Sequence, residues 1–361
     1  MAVHALSRSD SQDMRQTPAA ERPFVSVVMP VRNEARFIAR SVGAVLAQDY
    51  PKDRLEILVA DGMSTDGTRG LLTALQQEHS NLIVVDNAGR IVSTGLNQLL
   101  ARSRGDIVVR IDGHCEIAPD YVSRCVEHLR NDGVQGVGGP LQTIGETPAA
   151  EAIAVAMASP FGVGNSAFRT VANRSMITDT VAFPAYTRDI LDRSGPFDIE
   201  LVRNQDDEFN YRLRKAGGRL LLAADVRSRY YSRSSLRSLC RQYFQYGYWK
   251  VRVLQKHPWQ MRTRQFVPPV FVACLLTALA GAPVSADARV ALAAIVGAYA
   301  AANVGATLVA GRGVPVRFLP CLSAAFATLH VAYGSGFLVG LVRFAGRWRS
   351  AGARGMSAQP S

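Results

Sequence analysis

The chain has 361 residues, 48% of them hydrophobic, which is enough for one or two domains with a real core and excludes a disordered chain. Its 41 Lys and Arg residues outnumber its 29 Asp and Glu residues, so the formal net charge is +12. The excess of apolar residues is local, because beyond Arg264 the chain has one acid, Asp287, and seven arginines. The composition therefore excludes a purely soluble enzyme and predicts a polar body on a hydrophobic C-terminal anchor.

The N-terminal segment and the cysteines indicate the compartment. Residues 1–23 lack an apolar segment and are rich in Ser, Gln, Arg and Pro, so we expect a disordered tail and no signal peptide. The five cysteines form no C-x-x-C pair, which argues against a zinc ribbon or a disulfide framework. Sparse cysteines fit a reducing compartment, and we expect the polar body to remain in the cytosol.

Short apolar segments alternate with longer amphipathic ones from residue 24 onward. The short segments predict buried strands at residues 24–29, 55–60, 82–85, 107–111 and 134–137. The amphipathic segments predict helices at residues 34–48, 66–78, 93–102, 119–130 and 204–216. Residues 148–180 carry no clear pattern. The alternation predicts an α/β fold, in which ligands bind outside the carboxyl ends of the strands.

A basic segment precedes the hydrophobic anchor. Residues 227–264 contain ten Lys or Arg residues and no acid. An apolar stripe at helical spacing predicts an amphipathic helix at residues 234–256, and four cations lie off that stripe: Arg237, Arg241, Arg252 and Lys256. This pattern predicts a helix on the anionic cytosolic face of a membrane, in preference to a nucleic-acid-binding surface.

Three uncharged runs follow, at residues 265–286, 290–311 and 318–342, and each is long enough to cross a membrane. Three spans would place several arginines on the outer side, against the positive-inside tendency: Arg343, Arg347, Arg349 and Arg354. A re-entrant segment at Pro268 and Pro269 would instead leave two spans and a cytosolic C-terminus. The sequence leaves both topologies open.

Polar clusters follow the first two predicted strands. Arg32 and Asn33 precede a predicted helix, where free backbone N–H groups and these side chains can bind an anion or a base, although ordinary turn chemistry explains them equally well. Asp61 follows the second strand and can accept hydrogen bonds from a nucleobase or a ribose. Asp66 is better explained as the cap of the next helix.

Two further clusters carry candidate chemistry. Asp112 and His114 follow the fourth strand and can hold a divalent ion, Mg²⁺ or Mn²⁺, against a diphosphate; a strand-end turn and a pocket histidine are the alternatives. In the segment NQDDE, Asp207 is expected to close a capping box with Asn204, and Glu208 to pair with Arg212 on the solvent side. Asp206 then lies on the buried face as a general-base candidate.

The motifs VSVVMPVRNE, EILVADGMSTDGT, VRIDGH and NQDDEFNYRLRKAGG, in this order, resemble family 2 glycosyltransferases. Within that family they are most similar to the membrane-anchored glucosyltransferases of succinoglycan-type exopolysaccharide assembly. The resemblance covers about residues 24–256 and implies a GT-A nucleotide-sugar-binding fold with a mixed, mostly parallel sheet and an inverting reaction. The expected domains are a catalytic domain at 24–232, an interfacial helix at 233–264, two or three spans at 265–344 and a basic tail at 345–361.

The resemblance also implies roles for individual residues. Asp112 and His114 occupy the metal-binding position, and Asp206 is the base that deprotonates the acceptor hydroxyl. Residues bordering the nucleotide, the ribose or the diphosphate are Pro30, Arg32, Asn33, Glu34, Asp61, Gly89, Arg90, Asn97 and Asp112. The chain departs from the family in that His114 replaces the second Asp of the metal motif and Gln205 replaces the usual Glu.

The expected activity is transfer of a hexose, from UDP-glucose, to a lipid-linked saccharide at the cytoplasmic inner membrane, with Mn²⁺ or Mg²⁺ as cofactor. The expected partners are the nucleotide sugar, the lipid-linked acceptor and membrane lipids, but no nucleic acid. The processive motif Q-x-x-R-W is absent, which favours one addition per encounter over a processive synthase. Transfer directly to polyprenyl phosphate is a further alternative. Missing Walker A and G-x-G-x-x-G motifs argue against an ATP-driven transporter and a Rossmann oxidoreductase.

Overall fold

The computed structural model describes residues 22–348 of the chain. Most of the expected N-terminal tail and of the expected basic C-terminal tail therefore lies outside the described residues. The described chain divides into two compact units. The first unit contains residues 22–140, 173–197 and 212–228, and the second contains residues 141–172, 198–211 and 229–348.

An eight-stranded sheet forms the centre of the first unit. The strands of the described chain are β1 (Val25–Val31), β2 (Leu55–Asp61), β3 (Leu82–Asp86), β4 (Ile107–Arg110), β5 (Cys115–Ile117), β6 (Gly136–Gly139), β7 (Leu141–Ile144), β8 (Met176–Thr178), β9 (Ala182–Thr187), β10 (Leu220–Leu222) and β11 (Ser228–Tyr231). The order of the large sheet is β3-β2-β1-β4-β9-β6-β10-β8. Strand β7 lies beside β11 in a smaller sheet.

The pairing of the large sheet confirms the predicted mixed, mostly parallel arrangement. Strand β1 pairs in parallel with β2 and β4, and β2 pairs in parallel with β3. Strand β9 runs antiparallel between β4 and β6. Every residue of β1 and β2 is buried, as expected of strands covered on both faces.

Most of the predicted helices are present, with bounds that differ by a few residues, and the described chain contains additional helices. They are α1 (Ile38–Leu46), α2 (Thr68–Glu78), α3 (Val92–Leu100), α4 (Tyr121–Asn131), α5 (Pro148–Ala158), α6 (Pro160–Val163), α7 (Ala167–Thr170), α8 (Arg188–Ser194), α9 (Gln205–Lys215), α10 (Leu236–Lys256), α11 (Val267–Gly281), α12 (Ala286–Ala310) and α13 (Leu319–Arg343). Helix α1 begins at Ile38, because the Glu34 carbonyl accepts the amides of Phe37 and Ile38 in a turn. Helices α5 to α8 occupy regions where the sequence predicted none.

Helix α10 packs closely against α13 in the second unit. Glycines make this approach possible, since a Cβ at Gly247 would overlap the Tyr333 carbonyl oxygen and one at Gly336 would overlap that of Phe244. Val251 and Phe337 belong to the apolar cluster that forms at this contact. The second unit therefore has a helical core that extends into the hydrophobic C-terminal region.

Three helices of the described chain are long and apolar enough to cross a membrane, at Thr263–Gly281, Ala286–Ala310 and Val316–Arg343. In the most apolar 18-residue stretch of each helix, 17% of the first and 11% of the second are buried within the protein, against 44% of the third. Helix α13 packs against α6. Phe326 packs edge-on against Phe161 of that helix, and His330 Nε2 donates to the Phe161 carbonyl at 2.8 Å.

The cations of α10 correct one sequence expectation. Arg252 and Lys256 were expected to face anionic lipid, but Arg252 is only 7% exposed and binds Glu200 at 2.9 Å. Lys256 binds both Asp198 and Glu200. These charges are used inside the protein because acidic residues distant in sequence fold back onto the helix. Arg237 and Arg241, nearer the start of α10, are exposed.

Candidate functional site

The loops that follow β1, β2, β3 and β4 carry most of the candidate residues of the first unit. These four strands are parallel, so their carboxyl ends lie at one edge of the sheet. Strand β1 lies between β2 and β4, and the connections on either side of it lead in opposite directions along the sheet. A topological switch point of this kind is where α/β sheets bind ligands.

The loop after β1 is tied to the loop after β2. The Asn33 amide donates to Ser64 Oγ at 2.8 Å, and Asn33 Oδ1 accepts the Thr65 amide at 2.9 Å. The Glu34 amide donates to Thr68 Oγ1 at 2.8 Å. Asn33 has φ of 56°, the left-handed conformation that few non-glycine residues adopt. These bonds fix a strained loop whose side chains are presented at the edge of the sheet.

Pro30 is the second-last residue of β1, and Asp61 is the last residue of β2. Pro30 lies opposite Ala60 in the parallel ladder, and the Asp61 carboxylate is only 2% exposed. Asp61 Oδ1 accepts hydrogen bonds from the Ser64 hydroxyl and amide at 2.5 and 3.2 Å. Asp61 therefore orders its own loop in addition to any contact with a ligand.

Asp66 organises the turn before α2, but the N-cap residue is Gly67 and not, as the sequence predicted, Asp66. Its Oδ1 accepts the Thr68 amide at 3.1 Å, and its Oδ2 accepts the Ala35 amide at 3.0 Å. Burial raises the pKa of this carboxyl, but the hydrogen bonds from Thr68 and Ala35 outweigh that effect and hold it below its usual value. The carboxylate thus links the first two loops.

The loop after β3 contains Gly89 and Arg90. Arg90 has φ of 58°, and its carbonyl accepts a hydrogen bond from Arg32 Nη1 at 3.3 Å. A Cβ at Gly89 would lie 2.5 Å from Thr94 Oγ1, so only glycine fits. Asn97, on α3, bonds the backbone N–H and C=O of Phe197 at 2.7 and 2.8 Å. Arg32 and Arg90 are thus brought together, whereas the Asn97 amide is engaged in holding residue 197.

Asp112 and His114 lie at the switch point beside the first loop. His114 Nδ1 lies 2.8 Å from Glu34 Oε1, and Asp112 Oδ1 accepts a hydrogen bond from Arg110 Nη2 at 3.2 Å. A carboxylate bonded to one ring nitrogen is the arrangement that orients a metal-ligating imidazole. This donor set fits a divalent ion that Asp112 and His114 would hold, with Glu34 as the supporting carboxylate.

Among residues 22–348, no three His, Cys, Asp or Glu side chains are grouped closely enough to form a metal site by themselves. Ions that bridge a protein and a diphosphate are bound by one or two protein ligands together with phosphate oxygens and water. Two protein ligands therefore suit an ion that binds together with a diphosphate.

The segment that carries Asp206 belongs to the second unit. Asp206 is half-buried, and its Oδ1 accepts the Asp207 amide at 2.9 Å. Asp207 and Glu208 correct the sequence expectation. Asp207 was expected to serve as a capping residue, and its carboxylate forms an ion pair with the distant Lys250. Glu208 does not lie on the solvent side; it is 2% exposed and lies 2.9 Å from His257 Nε2.

Sequence reasoning missed Lys250 and His257 as partners of this segment. Their contacts join residues more than 40 positions apart, at separations of 43 and 49, so no local spacing signals them. Asn204 is a further surprise, with φ of 62° and an amide that donates to the Tyr246 carbonyl at 2.9 Å. The one sequence feature that could have indicated these contacts was the run of three acidic residues at 206–208, which precedes the basic helix α10 in the chain.

Comparisons with known proteins agree with this architecture. Residues 26–194 match the model of glycosyl transferase family 2. The chain is 30% identical over 332 residues to the succinoglycan biosynthesis protein ExoA of Rhizobium meliloti, covering 88% of this chain and 95% of that protein. It is also 30% identical over 241 residues to a dolichyl N-acetyl-alpha-D-glucosaminyl phosphate 3-beta-D-2,3-diacetamido-2,3-dideoxy-beta-D-glucuronosyltransferase of Methanococcus voltae, covering 64% of this chain and 74% of that protein.

A solved structure shares the fold. The mannosyltransferase PcManGT of Pyrobaculum calidifontis, in complex with GDP-Man and Mn²⁺, aligns with a TM-score of 0.54 and 21% identity, over 90% of this chain and 92% of that one. The GT-A fold implied by the sequence motifs is thereby confirmed. With a relative of this identity aligned over nearly its whole length, the chain belongs to glycosyltransferase family 2 and is a glycosyltransferase.

Proposed function

We propose that the chain transfers one glucose from UDP-glucose, with inversion at the anomeric carbon, to a lipid-linked saccharide in exopolysaccharide synthesis. The observation that carries this proposal is the similarity to a succinoglycan biosynthesis protein over 332 residues, a length that cannot end before the hydrophobic helices. The likeness therefore extends to the membrane-proximal half, where a lipid-linked acceptor would bind.

The first unit supplies the donor site in this proposal. The loops bearing Arg32, Asn33 and Asp61 bind the nucleoside, and Arg90 contributes positive charge toward the diphosphate. Asp112 and His114 would hold a divalent ion, with the His114 ring oriented by Glu34. When bound, Mn²⁺ or Mg²⁺ would supply positive charge for the leaving diphosphate.

Asp206 is the general base in the proposed reaction. Its carboxylate accepts the proton of the acceptor hydroxyl as that oxygen attacks the anomeric carbon. The bond from the anomeric carbon to the diphosphate oxygen breaks on the opposite face, so a single displacement inverts the configuration. A positioned carboxylate contributes about 10²–10⁴-fold to such a step.

The proposed product is extended by a single sugar. Gln242 stands where processive enzymes begin the Q-x-x-R-W motif, and no Arg-Trp pair follows it. Its amide is 5% exposed and donates to the Tyr246 hydroxyl at 2.8 Å, so it is engaged within the second unit. The proposed location is the cytoplasmic membrane of a bacterial-type cell, with the catalytic part on the cytosolic side.

The proposal is tested with membranes that contain the full chain. They are incubated in parallel with radiolabelled UDP-glucose, UDP-galactose and GDP-mannose, and the lipid-linked products are extracted and released by mild acid. The expected result is one glucose added to a saccharide, from UDP-glucose only, and a fall in product of about 10²–10⁴-fold with Asp206→Asn. Label in a long polymer would establish a processive synthase. Label on polyprenyl phosphate alone would establish a polyprenyl-phosphate transferase.

A further inference from the structure

The segment that carries Asp206 is fastened to α10 and to the turn that follows it. Within the second unit, five side-chain contacts join residues 203–208 to residues 245–260. They are Arg203 Nε to Gln245 Oε1 at 3.1 Å, Asn204 Nδ2 to the Tyr246 carbonyl at 2.9 Å, the Asp207–Lys250 ion pair, Gln260 Nε2 to the Asp207 carbonyl at 2.8 Å, and Glu208 Oε1 to His257 Nε2 at 2.9 Å.

In two of these contacts one partner is buried. Lys250 is 3% exposed and Glu208 is 2% exposed, whereas the side chains of their partners Asp207 and His257 are 32% and 20% exposed. Hydrogen bonds to ionised groups are the stronger ones, and removing one member of a buried pair leaves the other uncompensated. The two charged contacts therefore hold residues 207 and 208, which follow Asp206 directly.

The support continues from α10 to α13. Glycines let these two helices touch, and a Cβ at Gly340 would lie 2.7 Å from the Tyr248 carbonyl. Tyr248 also packs against Phe344 with a centroid distance of 4.8 Å. A continuous line of packed residues thus runs from the last apolar helix, through α10, to the segment of Asp206.

We propose that Lys250 and His257 are positioning residues for Asp206, which they hold through Asp207 and Glu208. Helix α10 thereby makes the orientation of the base depend on the packing of the membrane-proximal helices. This inference rests on the role proposed above for Asp206.

The main test is the Lys250→Met variant of the full chain, assayed with UDP-glucose in membranes. Misplacing a catalytic group by about 1 Å can cost about 10²-fold in rate, so kcat is expected to fall roughly 10- to 100-fold. KM for UDP-glucose is expected to remain unchanged, since the donor loops belong to the first unit. Lys250→Arg, which keeps a cation for Asp207, is expected to recover most of the rate.

Two further variants separate positioning from folding. Lys256→Met is the matched control, because Lys256 lies on the same helix and its partners, Asp198 and Glu200, lie outside residues 203–208. It is expected to keep kcat within about threefold of wild type. The double variant Lys250→Met with Asp207→Asn removes both charges, so no buried charge is left unpaired. It is expected to elute and unfold like wild type, yet to keep the low kcat.

The outcomes distinguish the two proposals. A wild-type kcat in Lys250→Met, or a loss no larger than that in Lys256→Met, overturns the positioning role while inactivity of Asp206→Asn leaves the base in place. A raised KM for UDP-glucose with unchanged kcat also overturns it. Full turnover by Asp206→Asn overturns the base and, with it, the inference.

Discussion

Three adjacent carboxylates of the second unit have different environments. Asp207 is paired with Lys250, and Glu208 is buried against His257. Asp206 accepts the Asp207 amide at the first turn of α9. Asp207 and Glu208 are each paired with a basic side chain of the second unit, so substitutions at Asp206 and at Asp207 are expected to have different effects.

The first prediction concerns Asp206→Asn. The amide cannot accept a proton from the acceptor, so transfer is expected to fall about 10²–10⁴-fold. Binding of UDP is expected to be unchanged, because the donor residues lie on the loops of the first unit. The measurement is transfer of labelled glucose alongside UDP binding by calorimetry.

Asp207→Asn serves as the comparison for that variant. It keeps the proposed base and loses the Lys250 ion pair, so a partial loss of transfer is expected. Full activity of Asp206→Asn combined with an inactive Asp207→Asn would show that Asp207 is the base.

The second prediction concerns metal. Asp112 and His114 are the ligands proposed for an ion shared with the diphosphate. Chelation with EDTA is expected to abolish transfer, and Mn²⁺ or Mg²⁺ to restore it. Asp112→Ala is expected to weaken UDP binding in the presence of Mn²⁺ far more than in its absence. Equal UDP affinity of the wild type with and without Mn²⁺ would contradict a metal site.

His128 gives a third prediction, on stability. Its ring nitrogens lie 2.7 Å from Asp132 and 2.8 Å from Asp225. Burial lowers the pKa of His128, but the hydrogen bonds and charges of Asp225 and Asp132 outweigh it and hold the pKa above 6.5. Because the folded-state pKa is the higher one, the stabilisation is complete below about pH 6.5 and is lost as pH rises through the folded-state value.

His128→Gln tests this stabilisation, since glutamine keeps the shape but not the charge. The variant is expected to unfold at a lower temperature than wild type at about pH 6, and the gap is expected to narrow toward about pH 8.5. The measurement is the unfolding midpoint of both proteins across that range. A gap that stays constant with pH would mean that the charge of His128 does not contribute.

At the scale of elements, the α10–α13 contact depends on glycine. A Cβ at Gly336 would overlap the Phe244 carbonyl, whereas one at Gly297 on α12 would meet no atom within 4 Å. Gly336→Ala is therefore expected to destabilise the protein by about 1–3 kcal/mol and to lower transfer, while Gly297→Ala is nearly neutral. The measurement is thermal unfolding in detergent, together with the transfer rate. Equal effects of the two variants would argue against close packing at Gly336.

At the scale of the whole molecule, contacts within the second unit bear on the topology. Arg347, just after α13, binds Glu200, and Gln255 Nε2 donates to the Phe344 carbonyl at 2.9 Å. The turn before α11 lies in the same place, because Gln260 Nε2 donates to the Asp207 carbonyl at 2.8 Å. We therefore predict that the end of α13 and the start of α11 lie on one side of a membrane and that an even number of the three candidate helices cross it. The buried share of α13 favours α11 and α12 as the crossing pair.

The last prediction follows from this pairing. Alkaline phosphatase fused after Val284, between α11 and α12, is expected to be active outside the cytosol, and fusions after Gly313 and Ser361 to be inactive. The arrangement keeps Arg312, Arg317 and Arg343 on the cytosolic side, as the positive-inside tendency requires. Active phosphatase at Ser361 would mean that three helices cross.

The sequence by itself determined the features that depend on local pattern. Short β-branched runs predicted the strands β1 to β4, and the polar motifs lay at their carboxyl ends, because strand periodicity and turn chemistry are encoded within a few residues. The order of four motifs indicated the family, and the length of the uncharged runs indicated helices able to cross a membrane.

Tertiary structure decided which charges meet. Arg252 and Lys256 follow a helical pattern typical of a lipid-facing surface, yet they bind Glu200 and Asp198, more than 50 residues earlier in the chain. Glu208 likewise pairs with His257, 49 residues later in the chain. Helix α13 is as apolar as its neighbours, but it packs against α10 through glycines. Helical periodicity shows which side chains share a face, whereas the partner of that face is set by long-range packing, which a local pattern does not encode.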